Sequence, residues 1–368
     1  MSLRYGLLVA LLACRAGVDD GPTDESVATD EGGATVDSGS ESDSGSESDS
    51  GSGSDTGTEQ AVVRFIALGD GGEGNDAQHI VADMAAEVCA QRGCDFALYL
   101  GDNIYDSGVD SIHDPQFDTK FEIPYQPLDF PFYVVLGNHD LGGDGLGLDL
   151  DPDKALYEIN YSKYSDKWDM EAAYYTIPEY KVAHQPAQFF ALNTTEIFFG
   201  WNDDEQQQWF REARDASTAT WKIAFGHHPY ISNGRHGNAG NYEGMDDWVP
   251  LSEIPRGQYV KDFMDAEVCG KVDVYLSGHD HNLQWLDPTC GTQFIVSGSA
   301  AKNTEWGEEF ANPVSFQTNG SELDCGGGEG FVWIEIRDRT LTGYVYYWRD
   351  DCAGAPVFEE RGPFTMTK

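Results

Sequence analysis

Five times along this chain a short apolar or β-branched run stops at a glycine and then presents side chains able to bind a metal ion. The runs are 62–68, 95–100, 131–136, 221–225 and 272–277. Behind them come Asp70, then Asp102 with Tyr105, then Asn138 with His139, then His227 with His228, and last His279 with His281. Continuous apolar runs of this length read as strands buried on both faces. Helical patterns lie between them. The stretch 76–92 carries Ile80, Met84 and Val88 at four-residue spacing, a cap at Asn75 or Asp76 and a stop at Gly93. Asn202 followed by Glu205 opens a second helix, and Tyr259 with Phe263 marks a third. Strands alternating with helices predict an α/β fold with parallel strands, whose sites lie beyond the carboxyl ends of the strands. All five clusters fall there. The later runs 292–297, 330–336 and 340–348 alternate or follow hairpin turns, which predicts a second, more antiparallel sheet. Two packed sheets with helices outside is the expected architecture, with the glycine- and acid-rich stretch 142–149 as a surface loop near the mouth of the site.

The clusters share one chemistry. His279 and His281 are two residues apart, so in extended chain both imidazoles face one point. Alone, the pair would read as a solvated loop or as satisfied core histidines. With Asp70, Asp102, Tyr105, Asn138 and His227 it makes seven possible ligands, hard oxygens mixed with imidazoles. Two cations about 3.5–4 Å apart can share a carboxylate and clamp the attacking and leaving oxygens of an in-line displacement at phosphorus. Such a centre would be locally positive.

Local charge matters because the chain as a whole is strongly acidic. Its 64 acidic residues stand against 22 Lys and Arg, a formal net charge of −42, and the first 60 residues hold only 13 of the acids. This argues against nucleic acid as a partner, since phosphate backbones are held by basic patches. Nor does the global field steer an anionic substrate in. The surplus favours solubility in salty surroundings.

The N-terminal 60 residues do not look foldable. Residues 1–14 read as a short secretory signal, with Arg4 ahead of an apolar run. Residues 15–60, rich in Asp, Glu, Ser and Gly, cannot bury apolar surface and are expected to form an extended linker, leaving 61–368 as the folded domain. The Leu-Leu-Ala-Cys sequence ending at Cys14 resembles the lipobox of bacterial lipoproteins, in which that cysteine carries lipid. An ordinary cleaved signal remains the alternative. Export is expected either way, with membrane attachment only through the lipid. Six further cysteines suit an oxidising compartment. They allow 15 connectivities, and near neighbours are the expected pairs: Cys89 with Cys94, Cys269 with Cys290, and Cys325 with Cys352.

The blocks Gly-Asp-x-Gly, Gly-Asp-Asn-x-Tyr, Gly-Asn-His-Asp, Gly-His-His-Pro and Gly-His-Asp-His, in this order, resemble the calcineurin-like metallophosphoesterases. The tyrosine after Gly-Asp-Asn resembles the purple acid phosphatases, and the chain looks most like their small, tartrate-resistant type from about Val63 to Tyr347. The resemblance implies a four-layer sandwich of two mixed β-sheets flanked by helices. It also implies a monomer that hydrolyses small phosphomonoesters. Asp70, Tyr105 and His281 would hold iron(III) with Asp102 bridging. Asn138, His227 and His279 would complete a second site for iron(II), zinc or manganese. His139 and His236 would act on the substrate, His236 by protonating the leaving alkoxide. From the residues alone Tyr105 reads equally as a buried aromatic, and His236 as an exposed loop residue. Departures from the family pattern are Gly71 in place of a usual Trp, expected to open that side of the pocket, His228 for a common Tyr, and Asn193 for Asp. Two other readings stay open: a phosphodiesterase or nucleotidase on the same scaffold, and a non-catalytic surface protein that binds iron.

Overall fold

The computed structural model describes residues 62–142, 150–177, 186–201, 203–244, 256–304, 310–318 and 326–368. The signal and linker read in 1–60, the loop 143–149 and Cys325 lie outside the described residues.

The first predicted run becomes β1 (Val62–Leu68). Its Phe65, Ile66, Ala67 and Leu68 are all fully buried, as apolar side chains on a strand covered on both faces should be. Helix α1 follows at Asp76–Arg92, the predicted span. Asn75 caps it by accepting from the Gln78 amide at 2.9 Å, and Gly93 ends it with φ 82°. The next runs form β2 (Phe96–Tyr99) and β3 (Phe132–Val134), each parallel to its predecessor. After α2 (Pro152–Tyr161) the chain adds β4 (Trp168–Asp169) to this sheet, then enters a second one through β5 (Tyr175–Thr176) and β6 (Ala187–Ala191). Helices α3 (Thr194–Phe198) and α4 (Asp203–Ala216) precede β7 (Trp221–Phe225), and α5 (Gln258–Phe263) precedes β8 (Val274–Ser277). The remaining strands are β9 (Leu283–Leu286), β10 (Gln293–Ser297), β11 (Val314–Gln317), β12 (Gly327–Arg337), β13 (Thr340–Asp350) and β14 (Pro356–Thr367).

Two mixed seven-stranded sheets result, in the orders β14-β13-β12-β1-β2-β3-β4 and β11-β9-β10-β8-β7-β6-β5. This corrects one expectation. The later runs do not make a sheet of their own: β12 pairs antiparallel with β1, Ile66 opposite Trp333, and brings β13 and β14 into the first sheet, while β10 runs parallel to β8 in the second. The five ligand-bearing strands are correspondingly shared, three in one sheet and two in the other. Side-chain periodicity reports which faces of a strand are buried, not which neighbour supplies its hydrogen bonds, so the alternation could not assign the sheet.

The sheets meet through aromatic rings. Phe189 of β6 sits edge-on to Phe65 and Phe96 of the facing sheet, both at 5.2 Å. Its neighbour Phe190 points the other way and packs with Phe210 of α4 at 5.4 Å, in the core that also holds Val260 and Phe263. Disulfides Cys89–Cys94 and Cys269–Cys290 form as expected, and Cys352 is also disulfide-bonded. Among the described residues no helix is long and apolar enough to cross a membrane.

Candidate metal centre

The ends of β1, β2, β3, β7 and β8 converge, and the backbone there departs from the ordinary. Asp70, Asp102 and His279 have φ of 58°, 51° and 68°, the left-handed region that non-glycine residues rarely enter. Strain of that kind persists where surrounding structure enforces it. The glycines beside them yield the space: a Cβ on Gly137 would lie 2.2 Å from Asp102 Oδ1, and one on Gly278 2.5 Å from Asp70 Oδ2.

Two groups of donors meet at Asp102. In the first, the Tyr105 hydroxyl lies 2.9 Å from Asp70 Oδ1, 2.8 Å from Asp102 Oδ2 and 3.2 Å from His281 Nε2. Ligand atoms of Asp70, Asp102 and His281 all lie within 4.8 Å of one another. In the second, His227 Nε2 lies 3.0 Å from Asn138 Oδ1, 3.1 Å from His279 Nδ1 and 3.4 Å from Asp102 Oδ1. Asp102 thus turns one oxygen to each group. All seven predicted ligands are brought together.

The donor set fits cations. Asp70 and Asp102 are buried, and among the described residues only histidines, no Lys or Arg, pair with them. Removing the counter-charge of a buried carboxylate costs about 3–5 kcal/mol, so two such groups with no fixed cation beside them favour a metal ion. His227 Nδ1 faces the Leu100 carbonyl at 2.9 Å and donates to it, which turns Nε2 to the Asn138 and Asp102 oxygens, the side on which a cation would be held. Burial, then the neighbouring His236, His228 and His227, hold His279 well below the usual imidazole range, which favours the neutral ring that a metal ligand needs. Burial and the Asp102 and Asp70 carboxylates push the Tyr105 phenol far above its own range, an opposition that positive charge would relieve. Burial alone would raise the Asp102 carboxyl, but His227 and His139 hold it below the usual range.

His139 and His236 flank this centre with partly open side chains, 24% and 28% exposed. The His139 ring packs 4.6 Å from that of Tyr105; its backbone amide donates to Asp102 Oδ1 at 2.9 Å, and Nδ1 is 2.5 Å from the Asp106 carbonyl. The His236 ring lies 4.2 Å from that of His279, its backbone amide donates to Asp280 Oδ1 at 2.8 Å, and its Nδ1 is bonded to Glu243. Burial works against its charge, yet Glu243 and Asp280 raise its pKa above the ordinary histidine value.

Sequence reasoning missed the residues that orient these groups. Asp140 accepts from the backbone amides of Gly137, Asn103 and Ile104 at 2.7, 2.8 and 3.1 Å, tying two ligand loops together. Buried Glu158 of α2 accepts from Asn103 Nδ2 at 3.0 Å. Asp140 and Asp280 stand inside the motif blocks, where that position was a signal. Glu243 and Glu158 carried none.

The departures from the family pattern have local explanations. Gly71 does not open the pocket, because a Cβ there would lie 2.4 Å from the Tyr125 hydroxyl and 2.7 Å from that of Tyr99, which fill the space. His228 is buried, accepts or donates at Thr194 Oγ1 (3.2 Å) and stacks on Phe198. Asn193 caps α3, accepting from the Glu196 amide at 3.0 Å.

Known proteins are similar to this chain over most of its length. The chain is 28% identical over 332 residues to the tartrate-resistant acid phosphatase type 5 of Oryctolagus cuniculus, covering 82% of this chain and 91% of that protein. It is 28% identical over 308 residues to purple acid phosphatase 4 of Arabidopsis thaliana, covering 77% and 80%. Among solved structures it resembles GAP50, the anchor in the inner membrane complex of Plasmodium, with a TM-score of 0.61 at 18% identity over 84% of this chain and 89% of the other. Residues 54–283 match the calcineurin-like phosphoesterase model. With this match spanning more than half of the chain and its donors gathered around Asp102, the chain belongs to the calcineurin-like phosphoesterase family and is a metal-dependent phosphoesterase.

Proposed function

We propose that the protein is an acid phosphatase of the purple, tartrate-resistant type, which hydrolyses phosphomonoesters to an alcohol and inorganic phosphate outside the cytoplasm. The observation that carries this reading is the division of Asp102 between two donor groups of different character. Asp70, Tyr105 and His281, with a phenol and a carboxylate, suit iron(III). Asn138, His227 and His279, neutral apart from the shared carboxylate, suit a divalent iron, zinc or manganese ion. A cation pair held there would supply positive charge for the phosphoryl oxygens and lower the pKa of water.

The chain's own groups then divide the work. His139, with Nδ1 committed to the Asp106 carbonyl, leaves Nε2 for the phosphoryl group. His236, held by Glu243 through Nδ1 and by Asp280 through its backbone, leaves Nε2–H to protonate the departing alkoxide. As water oxygen bonds to phosphorus on the opposite side, the ester P–O bond breaks and its electron pair takes that proton. The open faces of both histidines favour turnover over iron storage, since structural sites are closed. The apolar N-terminal stretch ending at Cys14 supports export with a lipid anchor, and small phosphomonoesters are the expected partners of a monomeric enzyme.

The test is metal analysis, visible spectroscopy and turnover of the purified protein on monoester and diester model substrates. About two metal ions per chain, a tyrosinate-to-iron charge-transfer band and preference for the monoester are expected. Strong preference for the diester would overturn the choice of substrate, and turnover that survives Asp102→Ala would favour the storage reading.

A further inference from the structure

Among the described residues one side-chain cation sits against the buried phenol of Tyr105. Lys302 Nζ lies 3.3 Å from the centroid of the Tyr105 ring and is paired with Glu73. Its placement is built rather than incidental. The loop after β10 is anchored by the Ala300 amide on the Gly69 carbonyl (3.0 Å), by Asn75 Nδ2 on the Ala301 carbonyl (3.0 Å) and by Ser299 Oγ on the carbonyl of Lys302 itself (2.9 Å). Asn75 is also the cap of α1, so the lysine is referenced to the same turn that carries Asp70. Both Lys302 and Glu73 side chains are about three-quarters buried, which weakens screening of the ammonium by water.

We propose that Lys302 is a positioning residue that acts through Tyr105: its ammonium, seated on the ring, sets the energy of the ligand electrons and so the redox balance of the iron beside them. This rests on the reading of Tyr105 as an iron(III) ligand. The sign follows from where charge moves. Absorption in the visible carries an electron from the phenolate ring to iron, away from the ammonium, so the ammonium raises the energy of that transition. Reduction of iron adds negative charge near the same ammonium, which therefore favours the reduced state.

The experiment compares wild-type protein with Lys302→Met and Lys302→Arg, each loaded with iron(III) and checked for equal metal content. Lys302→Met should move the band to longer wavelength, on the order of 10 nm from a Coulomb interaction in a partly buried site. It should also lower the iron(III)/iron(II) midpoint potential, while Lys302→Arg stays near wild type. An unchanged band and potential in Lys302→Met would overturn the proposal. Should that variant not fold, Glu73→Gln, which leaves the ammonium uncompensated, should move the band to shorter wavelength; no shift or the opposite shift would overturn it. Absence of any band from the iron-loaded wild type would defeat the ligand reading itself, a failure distinct from an unshifted band in the variants.

Discussion

Removing the His236 imidazole should slow the enzyme in a way that depends on the leaving group. The ring has one nitrogen bonded to Glu243, its backbone amide held by Asp280 and 28% of its side chain exposed, which leaves a single N–H free for substrate. A positioned general acid contributes about 10²–10⁴-fold, or roughly 3–5 kcal/mol of barrier. That contribution is needed when the departing alkoxide is strongly basic and nearly superfluous when a nitrophenolate leaves unaided. His236→Ala should therefore lower kcat on an alkyl phosphate by about 10²–10⁴-fold but on nitrophenyl phosphate by less than about 10-fold. Glu243→Gln, which removes a half-open and partly screened partner worth about 1 kcal/mol, should cost the alkyl substrate about fivefold. The assay is steady-state phosphate release on both substrates, with metal content measured alongside. Equal losses on the two esters, with both metals retained, would refute proton donation by this histidine. Loss of metal would show instead that the ring supports His279.

Other outcomes follow from the same geometry. Gly137→Ala places a methyl 2.2 Å from Asp102 Oδ1 and should displace the shared carboxylate, so metal content and turnover should fall together; a normal metal count would contradict the close approach. Glu267 is buried between Arg214 (2.9 Å) and Arg211 (2.5 Å), and Glu267→Gln should destabilise by about 3–5 kcal/mol at neutral pH, read as a lower midpoint in denaturant. Burial would raise the Glu267 carboxyl, but the two arginines hold it below its usual value. Its stabilisation is therefore present above the unfolded-state pKa of about 4.3 and disappears as pH falls through the lower folded value. The gap between wild type and Glu267→Gln should close in acid; a constant gap would mean that packing, not charge, was lost. Finally, a net charge of −42 predicts that Tm rises between about 0.1 and 1 M salt as the Debye length shrinks from ~10 to ~3 Å, and a flat response would show that the surface charges are already compensated.

Much of the centre was legible before any coordinates. Each ligand followed a glycine at the end of an apolar run, and that local grammar identified Asp70, Asp102, Tyr105, Asn138, His227, His279 and His281 together with α1 and its caps. Short elements were not legible. The two-residue strands β4 and β5 and the edge strand β14, with its largely exposed side chains, show no period long enough to read. Pairing was equally hidden, because β12 reaches β1 across more than 250 residues.

What the sequence by itself determined is the identity and order of the donors and the strands that end beside them, because strand propensity, capping and turn chemistry act over a few residues. What only the tertiary structure decided is which sheet each strand joins, that Asp102 divides its two oxygens, that Glu243 faces His236, and that Lys302 rests on Tyr105. Those are relations between residues distant along the chain. They exist only once the packing of the two sheets brings the carboxyl ends of their strands to a common rim.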